Sequence, residues 1–209
     1  MPKQQKEIQY AVGIEDLYLC FMNGDETVGV LPKYEDIVYA QTNITELSIS
    51  SKTNNFTKWA SNKKIINITK NTSFELGLKL AGLDREMKDK MFSKKRTKGV
   101  SFENAKPKSY PKFAVGVVFP LNDGTKVLRW YPKCTVQPVE ESFKTQNEEM
   151  TVDDIEYKIT ADPLLFNDNT MTELDTGSAG AANIKLDDFL KQVICDESQL
   201  ATLGTVTQG

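Results

Sequence analysis

The sequence predicts a mainly β domain of the α+β kind, and three stretches carry that expectation. Phe74, Leu76, Leu78 and Leu80 alternate with Glu75, Gly77 and Lys79, the period-two pattern of a strand with one dry and one wet face. Phe113, Val115, Val117 and Phe119 alternate likewise, Asn122-Asp123-Gly124 supplies a turn, and residues 126–131 return as a second strand, which together spell a hairpin. Ile155, Tyr157 and Ile159 mark a last long strand that closes at Asp162-Pro163.

The other elements follow in chain order. Residues 1–35 are weakly patterned and read as an N-terminal arm: residues 10–22 are apolar enough for a strand or short helix, and Asn23-Gly24-Asp25 signals a turn. Residues 36–40 and 44–50 read as strands, the second with Leu47 and Ile49 on one face. Residues 51–64 are Ser, Asn, Thr and Lys interrupted by Phe56 and Trp59, and read as a long inter-strand loop. Loops of this length inside a compact domain are usually functional or disordered; the two aromatics suit one that docks on its own domain or on a partner. Residues 65–69 form another short strand. Leu83, Met87 and Met91 then fall four apart, on one face of a helix over residues 83–92. Lys94, Lys95 and Arg96 follow, where cations suit the negative pole of the helix dipole. Residues 134–136 continue the return strand past Pro132, and residues 140–150 are acidic and polar. Residues 167–183 have linker composition, and Ile184, Leu186, Phe189, Leu190 and Val193 give a helical stripe within residues 184–195. Residues 202–209 resemble a frayed tail. The expected organisation is an arm over 1–35, a β domain over 36–165, and a linker plus C-terminal helix or arm over 166–209.

Composition narrows the chemistry. The 209 residues include no His, so every His-dependent triad and zinc site is excluded, along with the commonest general acid or base near neutral pH. Phosphate-binding glycine motifs and the GxSxG nucleophile motif are also missing. Cys20, Cys134 and Cys195 are odd in number and far apart, which suits reduced, buried thiols and not a disulfide framework. Asp153-Asp154 and Asp187-Asp188 suggest divalent-metal ligands, but neighbours on a strand point to opposite faces. No enzymatic activity, metal or cofactor is expected. Asn43, Asn55, Asn67 and Asn71 each begin an N-x-S/T triplet, read as chance in an Asn- and Thr-rich chain. The start MPKQQKEIQY is polar where a secretory signal carries its apolar stretch, so synthesis in a cytoplasm is expected. Trp130 and Tyr131 suit either a base-stacking platform or packing; the β pattern and the few interleaved cations favour packing.

Charge is unevenly distributed. Residues 1–110 hold 18 basic and 13 acidic side chains, whereas residues 111–209 hold 8 and 16. The densest basic run is Lys94, Lys95, Arg96 and Lys98, a solvated helix end or a nucleic-acid patch, of which the first is the plainer.

In order, the segments ITELSIS, FTKWASNKK, SFELGLKLAGLDREMKDKMF, KPKSYPKFAVGVVFPLNDGTKVLRWYPKCTVQP and VDDIEYKITADP resemble the major tail protein of long-tailed, non-contractile bacteriophages of Gram-positive bacteria. The likeness covers about residues 36–165 and is most specific in the FAVGVVFP to KCTV hairpin. It implies a tail-tube β-sandwich or β-barrel with one flanking helix, six copies joined in a ring, and rings stacked into a tube that passes DNA without specific binding. The expected partners are further copies of the chain and the terminator, tape-measure and baseplate proteins of the tail, and the expected location is the virion. Residues 51–64 stand where related tube proteins reach the neighbouring ring, making Phe56, Trp59, Lys63 and Lys64 candidate ring-stacking residues and Lys94, Lys95 and Arg96 candidate inter-subunit contacts. An acidic second half would keep a lumen unattractive to phosphate. The alternatives are a tail terminator or head-tail connector that stops at one ring, and a nucleic-acid-binding module using Lys94, Lys95, Arg96 and Lys98 beside Phe92 and Phe102.

Overall fold

The computed structural model describes residues 7–138 and 154–204, so the acidic stretch 140–150 and the extreme C-terminus lie outside the described residues, as does Asp153. The strands are β1 (Leu17–Phe21), β2 (Tyr39–Gln41), β3 (Ile44–Ala60), β4 (Lys63–Leu80), β5 (Phe113–Pro120), β6 (Lys126–Val136), β7 (Ile155–Ala161) and β8 (Thr172–Asp175). Two short helices, α1 (Arg85–Met91) and α2 (Leu186–Leu190), accompany them. The mainly β, α+β class expected from the alternating stretches is the one observed.

All strands join one antiparallel sheet ordered β2-β1-β5-β6-β7-β4-β3, with β8 attached to β6. The sheet forks at β6. One edge of β6 pairs β5; along the other, Val127 to Trp130 pair β8 whereas Cys134 to Val136 pair β7. The fork falls at an irregularity: Val115 faces Tyr131 but Phe113 faces Cys134, so β6 carries an extra residue there. Pro132, which has no N–H to give to a ladder, occupies that stretch, where a bulge tolerates it. The layers of the fold therefore come from one forked sheet and not from two separate sheets.

Each face of this sheet has its own core. On one side Leu17, Phe113, Tyr131, Leu76 and Tyr157 pack with Met87 and Met91 of α1. Asp84 starts that helix, its carboxylate accepting the N–H groups of Glu86 and Met87 at 2.9 and 3.2 Å, an ordinary N-cap. On the other side Cys20, Ala114, Val118, Leu128 and Trp130 pack with Phe189, Val193, Ile194 and Leu203 from the C-terminal segment. Phe113 through Val118 are all buried, because β5 has a core on both faces. Gly116 lies opposite Trp130, and a Cβ there would come within 2.8 Å of the indole; only a glycine leaves room for that ring. Trp130 and Tyr131 are thus core residues, and Trp130 Nε1 donates to the carbonyl of Phe189 at 3.0 Å.

Three expectations are corrected. Residues 51–64 are not a loop: β3 and β4 run through them to a two-residue turn at Ser61-Asn62, both at positive φ of 50° and 60°, as a tight hairpin turn requires. Of the arm expected over 1–35, residues 1–6 lie outside the described residues, and the rest is not peripheral, since β1 sits between β2 and β5 inside the sheet. Residues 167–183 are not a linker, because they hold β8 and a 3-10 turn, Ala181–Asn183. The helix expected over 184–195 is shortened to α2, and Val193, Ile194 and Cys195 are buried in the chain after it.

Candidate interaction surface

The hairpin of β3 and β4 leaves the body of the sheet. The last residue of β4 to pair with β7 is Phe74, opposite Ala161; from Lys52 with Ser73 outward, the two strands pair only with each other. At about 3.3 Å per residue, the stretch from Lys52 to Ala60 extends roughly 30 Å. Its side chains are exposed throughout, and register assigns their faces. Phe56 lies opposite Ile68 and Lys58 opposite Ile66, so Phe56, Ile66 and Ile68 share a face. Past Lys58 the register shifts, with Ile65 as the extra residue, so that Trp59 lies opposite Lys64, and Lys63 pairs with Ala60 beside the turn. Phe56, Trp59, Ile65 and Ile68 are all 57–64% exposed.

Of the sequence-derived stacking residues, Trp59, Lys63 and Lys64 thus stand at the hairpin tip, and Phe56 lies farther back on the same hairpin, opposite Ile68. Sequence reasoning missed Ile65, Ile66 and Ile68 as surface residues: a strand was expected there, but strands usually bury their isoleucines.

The second candidate group sits elsewhere, just past α1. Arg96 grips Asp89 with two guanidinium nitrogens, Nη2 donating to Oδ1 at 2.9 Å and Nε to Oδ2. This hydrogen bonding by Arg96 holds the Asp89 carboxyl below the usual carboxylate range. Lys94 Nζ is 3.9 Å from a Glu103 carboxylate and 6.0 Å from the centre of the Phe92 ring, while Lys95 is exposed. Arg96 therefore braces its own loop. Phe92, expected to stack beside these cations in a nucleic-acid module, is instead buried against Tyr110 and Tyr157. Phe102 is exposed.

A shallow groove was not legible beforehand. Tyr18 of β1, Val38 just before β2, and Leu190 of α2 form its apolar floor, and Asp187 and Lys191 stand at its side. The three floor residues are only partly buried, although they pack against the second core. Burial, with the acidic field of Asp16, Glu15 and Asp187, raises the Tyr18 phenol above its ordinary pKa.

Cys20, Cys134 and Cys195 are free and buried. Burial pushes the Cys20 and Cys195 thiols up to about 11 and about 12, far from the thiolate form that reacts. Among the described residues no three Cys, Asp or Glu side chains gather as a metal site, and no helix is long and apolar enough to cross a membrane. No protein-family model matches the chain, and no curated protein matches it significantly.

Proposed function

We propose that this chain is the structural subunit of a phage tail tube, in which six copies join into a ring and rings stack into a hollow conduit for DNA during ejection. The observation that carries this reading is the edge of the sheet at β3. Among the described residues this 17-residue strand pairs on one side only, with β4. A long open edge is a liability in a monomer and an asset in a subunit that adds strands across copies. The β2 edge closes the opposite end of the sheet order, so each copy has two different edges to offer, as a head-to-tail ring requires. The projecting hairpin supplies a second surface for the next ring, and the segment order resembling major tail proteins supports the same reading.

Electron microscopy of the purified full chain tests it. Hollow tubes about 10 nm wide are expected from rings of domains this size. Single rings that never stack would favour a terminator or connector instead, and a strict monomer at high concentration would remove the reading.

A further inference from the structure

The chain carries both halves of a complementary contact. Residues 51–73 hold five lysines and no acid, whereas residues 162–204 hold eight acids and two lysines. On the hairpin, Trp59 and Lys64 stand side by side as an exposed aromatic with a cation next to it. On the body, the groove floored by Tyr18, Val38 and Leu190 carries Asp187 and Lys191 at its side; Lys191 is paired with Asp188 and Glu15 with Lys126, which leaves Asp187 and the nearby Asp16 as the acids facing Tyr18. A large aromatic in a pocket beside an opposite charge is how anchor residues hold an interface, and the charges fix its register.

We propose that the hairpin tip of one copy docks in the Tyr18–Val38–Leu190 groove of a second copy, with Trp59 on the apolar floor and Lys64 facing Asp187. This rests on the subunit reading above. The occupant is another copy because the chain itself presents the complementary acidic and apolar surface, whereas a nucleic acid would use the lysines and leave the groove empty. The contact joins two different patches, so it propagates from copy to copy.

Two full-length variants test it, Lys64→Cys and Asp187→Cys, both at exposed positions and both with the native thiols buried. The two are mixed and treated with diamide, which takes up the two electrons and two protons released as the disulfide forms. Docking predicts a heterodimer on a non-reducing gel roughly a hundredfold faster than for Lys64→Cys mixed with Glu103→Cys, because a seated tip raises the effective concentration. Adding Trp59→Ala to the Lys64→Cys chain should slow the reaction roughly tenfold or more, as loss of an anchor does.

Tubes seen by microscopy with cross-linking no faster than the control would overturn the docking and leave the tube reading standing. Fast cross-linking without tubes or rings would uphold the docking and remove the tube reading. Cross-linking abolished by a single-stranded oligonucleotide that the wild-type chain retains, and that Lys63→Ala/Lys64→Ala loses, would overturn the docking in favour of a nucleic-acid ligand.

Discussion

Glu26 and Lys133 form an ion pair 2.7 Å long, the Glu26 side chain fully buried and that of Lys133 12% exposed. Lys133 Nζ also donates to the Pro163 carbonyl at 2.8 Å, and Glu26 accepts the N–H of Leu165. One pair thereby fastens the loop after β1 to β6 and to the turn after β7, adding to the strand pairing that holds β1 in the sheet. Buried charges lose hydration that their attraction only partly returns, yet removing one partner strands the other. Lys133→Met is expected to lower stability by about 3–5 kcal/mol, while Glu26→Met with Lys133→Met together recover most of it. Urea midpoints of both single variants and the double variant form the cycle. Single effects that simply add would mean that the two charges are not coupled.

The β3–β4 hairpin divides assembly from folding. Among the described residues, its strands beyond Lys52 and Ser73 pair with no other strand, and both cores draw on residues outside that projection. Replacing residues 53–72 with Asn-Gly joins the paired positions Lys52 and Ser73 by a turn suited to hairpins. The shortened chain is expected to melt within a few degrees of the parent, since a ΔΔG near 1 kcal/mol shifts a domain of this size by about 2–4 °C. It should form no tubes by electron microscopy. A large loss of melting temperature would show that the hairpin supports the body, and tubes of normal length would show that it does not serve stacking. The contrast with β5 and β6 explains what was readable. There, apolar alternation and Asn122-Asp123-Gly124, with Gly124 at φ 83°, announce both strands and turn. In β3 residues 51–58 are Ser, Lys, Thr and Asn on both faces apart from Phe56, so little alternation exists to detect there, and Ser61-Asn62 is a weaker turn signal than Asn-Gly. Phe56 and Trp59 still stood out because aromatics are rare in polar stretches. The groove did not, as Tyr18, Val38 and Leu190 are brought together only by the pairing of β1 with β2 and the return of α2 across the sheet.

At the scale of the whole molecule, the C-terminal segment decides whether the sheet has one core or two. Phe189, Val193, Ile194 and Leu203 cover the face that bears Trp130, Leu128 and Ala114, and the indole N–H of Trp130 donates to the backbone carbonyl of Phe189. Asp196 and Gln199 clamp the chain beyond through a capping box over Glu197–Thr202, and the side chains of Asn167 and Asn169 donate to the Cys195 carbonyl at 3.0 and 3.1 Å. Burying four such apolar side chains at about 1.5–3 kcal/mol each contributes on the order of 6–12 kcal/mol as an upper bound. That matches the entire net stability of a typical domain, about 5–15 kcal/mol. A chain ending at Asn183 is therefore expected to lose fixed tertiary structure and not merely an appendage. Near-UV circular dichroism should collapse and a dye for exposed apolar surface should bind, whereas far-UV signal from the β1–β5–β6 strands persists in part. If the truncated chain instead melts cooperatively near the parent temperature, the segment is a dispensable arm and the second core is not needed for folding.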